Sequence, residues 1–158
     1  MEEIQKTQEK TCAFFASDYH FEMISLPYIE KEIEKNKEII ILTENNLEST
    51  IKNLISKINL NEEKKKKIFN LNWKNDDLNK FKQIKNQLEN NKEMTIFIKG
   101  KENYIKNVNQ NIEKWITKNE NVKTIDCYDI EEVGDDINKI INEYENVLST
   151  TGEKKIEK

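Results

Sequence analysis

The apolar residues of this chain are bunched into short runs and helical stripes. Five runs have the length and composition of strands: Cys12–Ala16, Glu38–Thr43, Ile68–Trp73, Met94–Lys99 and Val122–Tyr128. Ile39-Ile40-Ile41-Leu42 is continuously apolar and bounded by polar residues. That pattern fits a strand covered on both faces, as in a parallel sheet. Met94-Thr95-Ile96-Phe97-Ile98 reads the same way.

Between the runs, apolar residues recur at spacings of three and four, which marks amphipathic helices. Phe21, Ile24, Tyr28 and Ile33 stripe the first, and Leu47, Ile51, Leu54, Ile55 and Ile58 the second. A brief charged helix is expected over Glu62–Lys67. Leu78, Phe81, Ile84 and Leu88 stripe the next, and Tyr104, Ile105, Val108, Ile112, Trp115 and Ile116 another. A last helix is expected from Val133 through Ile137, Ile140, Ile141 and Tyr144 to Leu148. Asp18, Asn45 or Asn46, Asn61, and Asn75 or Asp76 stand where N-caps belong, and Asn45 with Glu48 has the spacing of a capping box. Pro27 falls inside the first helix, where it removes a hydrogen bond and kinks the backbone. The strand–helix alternation predicts an α/β fold: a mostly parallel five-stranded sheet with helices on both faces and right-handed crossovers. No Pro/Gly-rich linker divides the 158 residues. One domain is expected over 11–152, with flexible tails at 1–10 and 153–158.

Composition narrows the picture. Hydrophobic content is 35%, below the usual roughly 45–50%, and the bunching argues against the disorder this would otherwise suggest. All 26 basic residues are Lys, against 30 acidic residues, for a net charge of −4. Without Arg there is no guanidinium fork for phosphates or base edges, and an acidic surface disfavours nucleic acid. The Lys-, Asn- and Ile-rich usage also fits an AT-rich genome, which weakens that argument. Met1–Lys10 is charged without an apolar centre, unlike a signal peptide. No run approaches the roughly 20 apolar residues of a membrane span. A cytoplasmic protein without membrane contact is expected. Cys12 and Cys127 sit in apolar contexts and read as buried free thiols. With one His they make a poor metal set, and no metal or cofactor is expected.

Gly occurs only at 100, 134 and 152. The turn after the first strand, Ala16-Ser17-Asp18-Tyr19-His20, therefore lacks the glycines that let a backbone approach phosphates. No GxSxG elbow is present, and a Ser-His or Cys-His pair would have to use His20. In open α/β sheets, ligands bind beyond the carboxyl ends of the strands. That edge should collect Ser17, Asp18, Tyr19, His20, Glu44, Asn45, Trp73, Gly100, Tyr128 and Asp129 as a candidate ligand site. Tyr19, His20, Trp73 and Tyr128 would supply an aromatic wall. Asp18 and Asp129 read more readily as helix caps, His20 as a turn residue, and Trp73 equally as pocket wall or packing.

Six short segments run in a set order: Cys12-Ala13-Phe14-Phe15, Leu26-Pro27-Tyr28-Ile29, the Glu38–Thr43 strand, Asn70-Leu71-Asn72-Trp73, Ile98-Lys99-Gly100 and Cys127-Tyr128-Asp129. Their order resembles the MEDS domain, the sensory domain of methanogen and methylotroph regulators. The resemblance covers about Thr11 to Gly152. It implies a RecA/KaiC-like three-layer sandwich that lacks the phosphate-binding loop. It also implies a sensory or regulatory role without nucleotide hydrolysis.

Three functions stay open. The first is a non-catalytic sensor with a small-molecule ligand at the strand edge, signalling through a protein partner. The second is an interaction adaptor without such a pocket, for which a homodimer is one form. The third is a small hydrolase-type enzyme, which would need two of Asp18, His20, Glu44 and Asp129 within hydrogen-bond reach.

Overall fold

A computed structural model describes residues 10–116 and 121–157. The chain is α/β, with a mostly parallel sheet of six strands rather than the five expected. In chain order the elements are β1 (Thr11–Phe15), α1 (Asp18–Glu34), β2 (Glu38–Thr43), α2 (Glu48–Lys57), α3 (Glu62–Phe69) and α4 (Asp77–Glu89). There follow β3 (Met94–Gly100), α5 (Glu102–Ile116), β4 (Val122–Asp129) and α6 (Ile130–Val133). A 3-10 turn over Gly134–Asp136, α7 (Ile137–Ile141), β5 (Asn146–Ser149) and β6 (Gly152–Lys155) complete the fold. The spatial order is β2-β3-β4-β1-β5-β6, and only β6 runs antiparallel to its neighbour.

Strand alternation explains how so apolar-poor a chain builds a core. Phe15, Ile39, Ile41, Phe97, Ile125 and Cys127 join a cluster with Phe21, Ile24 and Ile29 of α1 and Ile51, Leu54 and Ile55 of α2. The intervening residues Cys12, Ile40, Leu42, Ile96, Ile98 and Tyr128 join a second cluster with Ile84 of α4 and Ile105, Val108 and Ile112 of α5. Strands β1 to β4 each therefore contribute side chains to both clusters, as the continuous apolar runs require.

Other expectations also need correction. Ile68–Trp73 is not a strand: Ile68 and Phe69 close α3, and Trp73 lies in the loop before α4. Its apolar residues match a short strand in composition, but Ile68 and Phe69 continue the helix that the charged residues before them begin. The expected long last helix is broken. Gly134 adopts φ +48°, the chain turns through α6, the 3-10 turn and α7, and Leu148 falls in β5. Nor are residues 153–155 a tail: Gly152, at φ +111°, turns the chain so that β6 pairs with β5. The expected N-terminal tail lies outside the described residues apart from Lys10.

Caps follow side-chain reach more than residue type. Ser17, not Asp18, caps α1 by accepting from the His20 amide. Leu47, not Asn45 or Asn46, holds the N-cap position of α2; Asn46 accepts from the Glu48 amide at 2.9 Å, so the Asn45–Glu48 box does not form. Asn61 caps α3 as expected, accepting from the Lys64 amide at 2.8 Å. Asp76 holds the N-cap position of α4 without a side-chain capping bond. Pro27 lies within the continuous α1.

Strand β2 ends the parallel side of the sheet. Its Ile41 carbonyl accepts a hydrogen bond from Nζ of the buried Lys80 on α4, which also donates to the Lys74 carbonyl. Burial lowers the Lys80 ammonium to about 8, against the raising effect of Asp77 and Asp76. The loop carrying Lys74 is tied back through Trp73, whose carbonyl accepts from the Leu47 amide at 2.9 Å.

Candidate strand-edge site

Registers fix where the strands end. Thr43 stands opposite Lys99, Gly100 opposite Tyr128, and Phe15 opposite Asp129. The carboxyl ends of β2, β3, β4 and β1 therefore share one edge, where open α/β sheets bind ligands.

Lys99 is the centre of that edge. It lies two residues beyond Phe97, so it projects to the same face, toward α1 and α2. Its side chain is 3% exposed. The ammonium sits 4.6 Å from the centroid of Phe15 and 5.5 Å from that of Phe21, within range of cation–π attraction. It donates to Asn45 Oδ1 at 2.8 Å and to Asp18 Oδ1 at 2.9 Å. Asn45 Nδ2 donates to Asp18 Oδ2 at 2.9 Å, closing a triangle of three side chains from three elements. Thr43 Oγ1 donates to the Asn45 carbonyl at 2.8 Å, fixing the turn that presents it. Asp18, at 36% exposure, and the exposed Asn45 link the triangle to solvent.

Glu22 lies one helical turn after Asp18 on α1. It is fully buried, and neither carboxylate oxygen has a hydrogen-bond partner. The facing Thr50 hydroxyl donates to the Leu47 carbonyl instead. Burial is the main reason its carboxyl is pushed up to about 7; Asp18 raises it further, while Thr50 and Lys99 oppose the rise.

Several backbone amides around the edge are already engaged. In the β1–α1 turn, the Ala16 amide donates to His20 Nδ1 at 2.8 Å, the His20 amide to Ser17 Oγ at 3.1 Å, and the Phe21 amide to the Ser17 carbonyl. At the start of α5, the Lys101 amide donates to Glu44 Oε1 at 2.9 Å and the Glu102 amide to Glu132 Oε2 at 3.3 Å. Gly100 permits this packing: a Cβ there would lie 2.7 Å from Tyr104 Cδ1 and 2.9 Å from Glu44 Oε1.

The structure brings together only some of the residues expected at this edge. Asp18 and Asn45 converge on Lys99, with Ser17 and His20 in the adjoining turn. Glu44 and Gly100 form a second contact at the α5 start. Asp129 caps α6 by accepting from the Glu131 amide at 3.0 Å. The aromatic wall does not form. Tyr19 is 60% exposed, and Trp73 is 2% exposed, with Nε1 donating to the Ile68 carbonyl at 2.9 Å. Tyr128 is buried in the other cluster from Trp73.

Sequence reading missed Lys99 and Glu22 as site residues. The signal for Lys99 was its phase: a charge continuing the alternate positions of an apolar strand. Glu22 likewise sits between Phe21 and Ile24 in an apolar stripe. Also missed was a buried network in the second cluster. Tyr144 Oη donates to Asp126 Oδ2 at 2.5 Å, lies 2.6 Å from Tyr128 Oη, and Asn109 Nδ2 reaches both Asp126 oxygens at 3.2 Å. Burial raises the Asp126 carboxyl, and the bonds from Tyr144 and Asn109 oppose that rise.

Among the described residues, no three of the His, Cys, Asp and Glu side chains are grouped to hold a metal ion, and no helix is long and apolar enough to cross a membrane. Comparison with protein-family models, curated proteins and solved structures finds no match to the chain.

Proposed function

We propose that this chain is a non-catalytic sensory or regulatory domain that binds a small ligand at the carboxyl edge of its sheet, over the Asp18–Asn45–Lys99 triangle. The observation that carries this reading is a buried ammonium at the shared strand edge, held by one half-exposed carboxylate and one exposed amide. Replacing those two partners with ligand atoms would keep the buried charge satisfied, as burial requires. The reading includes a MEDS-like, three-layer arrangement. The two apolar clusters fed by alternate strand residues support it. Signal output would pass to a protein partner.

Catalysis is the weaker reading. Asp18 faces Lys99 and Asn45, His20 accepts from Ala16, Glu44 from Lys101, and Asp129 from Glu131. None of these bonds joins two of the four residues into an acid–base pair. The amides engaged within the β1–α1 turn favour a regulator that does not cradle a triphosphate.

The test is an NMR screen of small-metabolite mixtures against the labelled chain. A ligand of this site should shift the amides of Asp18, Asn45 and Gly100 together, and Lys99→Met should abolish the shifts. The reading fails if compounds of anionic, cationic and neutral classes all leave those three amides unmoved.

A further inference from the structure

We propose that Asp18 and Glu22 compete for the single ammonium of Lys99, so that loss of a proton from Glu22 switches the strand-edge site from closed to open. The proposal rests on the site assigned above and concerns its regulation.

Residues four apart on a helix stand about 6 Å from one another on one face. Asp18 and Glu22 are such a pair on α1. Lys99 is bonded to the first, while the second is fully buried with both oxygens unpartnered. Among the described residues, the charges that reach Glu22 are Asp18 from its own helix and Lys99 from β3; α2 faces it with the neutral Thr50. A protonated carboxyl tolerates that setting, because a neutral group without a partner costs far less than a buried charge. An ionised one does not. Among the described residues, the cation within reach is Lys99, and attraction between charges strengthens as the surroundings become less polar. Asp18 is 36% exposed and Glu22 is enclosed. An ionised Glu22 therefore outbids Asp18 for the ammonium.

The consequence falls on the triangle. Moving Lys99 Nζ toward Glu22 breaks its bonds to Asp18 Oδ1 and Asn45 Oδ1. Asn45 then keeps only the Asp18 carboxylate and the Thr43 hydroxyl. Asp18 is left with Oδ1 unpaired at the mouth of the edge, its Oδ2 still held by Asn45. The protonated state is closed, and the ionised state exposes both groups to a ligand.

The test follows carboxyl carbons and amides of the full chain by NMR between pH 5 and 8.5, without ligand. The Glu22 carboxyl signal, assigned by its disappearance in Glu22→Gln, should titrate near 7. The Asn45 amide should move with the same midpoint, and in Glu22→Gln it should stay at its low-pH position. Asp18→Asn, which removes the competitor, should lower the Glu22 midpoint. The switch is overturned if Glu22 titrates between about 4 and 5, if Asn45 ignores the Glu22 step, or if Asp18→Asn leaves the midpoint in place. A failed metabolite screen would remove the ligand reading without touching this result, since the titration uses no ligand.

Discussion

Replacing Glu22 by Gln removes one proton-binding group from the core while keeping its shape. In the folded chain that carboxyl is held near 7, against an ordinary 4.5. Each tenfold change in proton affinity is worth about 1.4 kcal/mol, so the displacement corresponds to about 3 kcal/mol. The sign follows from linkage. The folded state binds the proton more tightly than the unfolded chain, so the carboxyl's contribution is fully present below pH 4.5 and is lost as pH rises through 7. Glu22→Gln has no such loss. Urea denaturation of both proteins at half-unit steps from pH 4.5 to 8 isolates the term, because the other ionisations cancel in the difference. The variant should gain on the wild type by about 3 kcal/mol across that window, with most of the gain between pH 5 and 7. A stability difference that does not change with pH would refute the account of Glu22 as a buried, unpartnered acid.

Gly100→Ala should destabilise the fold by about 1–3 kcal/mol, because the new Cβ meets Tyr104 and Glu44. The Lys101 amide should lose hydrogen-exchange protection at the same time. Tyr144→Phe removes the donor to Asp126 and the partner of Tyr128. Thermal or urea unfolding should show a loss of about 1–3 kcal/mol. The thiols should resist alkylation in the native state. Both are fully buried, and burial, with the Asp126 charge adding to it, raises Cys12 to about 12 and Cys127 well above its usual value. Mass spectrometry after iodoacetamide treatment at pH 8 should show labelling only when the chain is unfolded, because the thiolate is the reactive form.

Periodicity carried much of the fold. Glu38–Thr43 is the strand that the sequence indicates, residue for residue, because a run buried on both faces leaves no phase to mistake. Ile68–Trp73 failed for the converse reason. Ile68 ends a helix and Trp73 packs from a loop, and a short apolar stretch has the same composition in either state. Leu148 was absorbed into a helical stripe whose spacing it happens to continue, whereas the chain turns at Gly134, α7 ends at Ile141 and Leu148 enters β5. The site was legible as an edge, since strand ends follow from strand order. Its chemistry was not legible. Trp73 and Tyr128 are brought to strand ends by sequence but turned into different clusters by the pleat and the loop. Lys99 was passed over because charge at a strand end ordinarily means solvent, whereas two aromatic rings and two oxygen acceptors accommodate it here.

The bond from Lys80 to β2 bears on how this protein avoids sticking to itself. An outermost strand such as Glu-Ile-Ile-Ile-Leu-Thr, apolar and rich in β-branched residues, is the kind that recruits further strands and seeds aggregates. Here the ammonium occupies the carbonyl of Ile41, in the middle of that strand, where an incoming chain would otherwise begin to pair. The opposite margin of the sheet, β6, carries Glu153, Lys154 and Lys155, all exposed, and charged margins of this kind oppose strand addition. Lysine thus guards both margins, from beneath at β2 and along the strand itself at β6. Losing Lys80 would leave that carbonyl open to an incoming strand and cut the tie between α4 and β2.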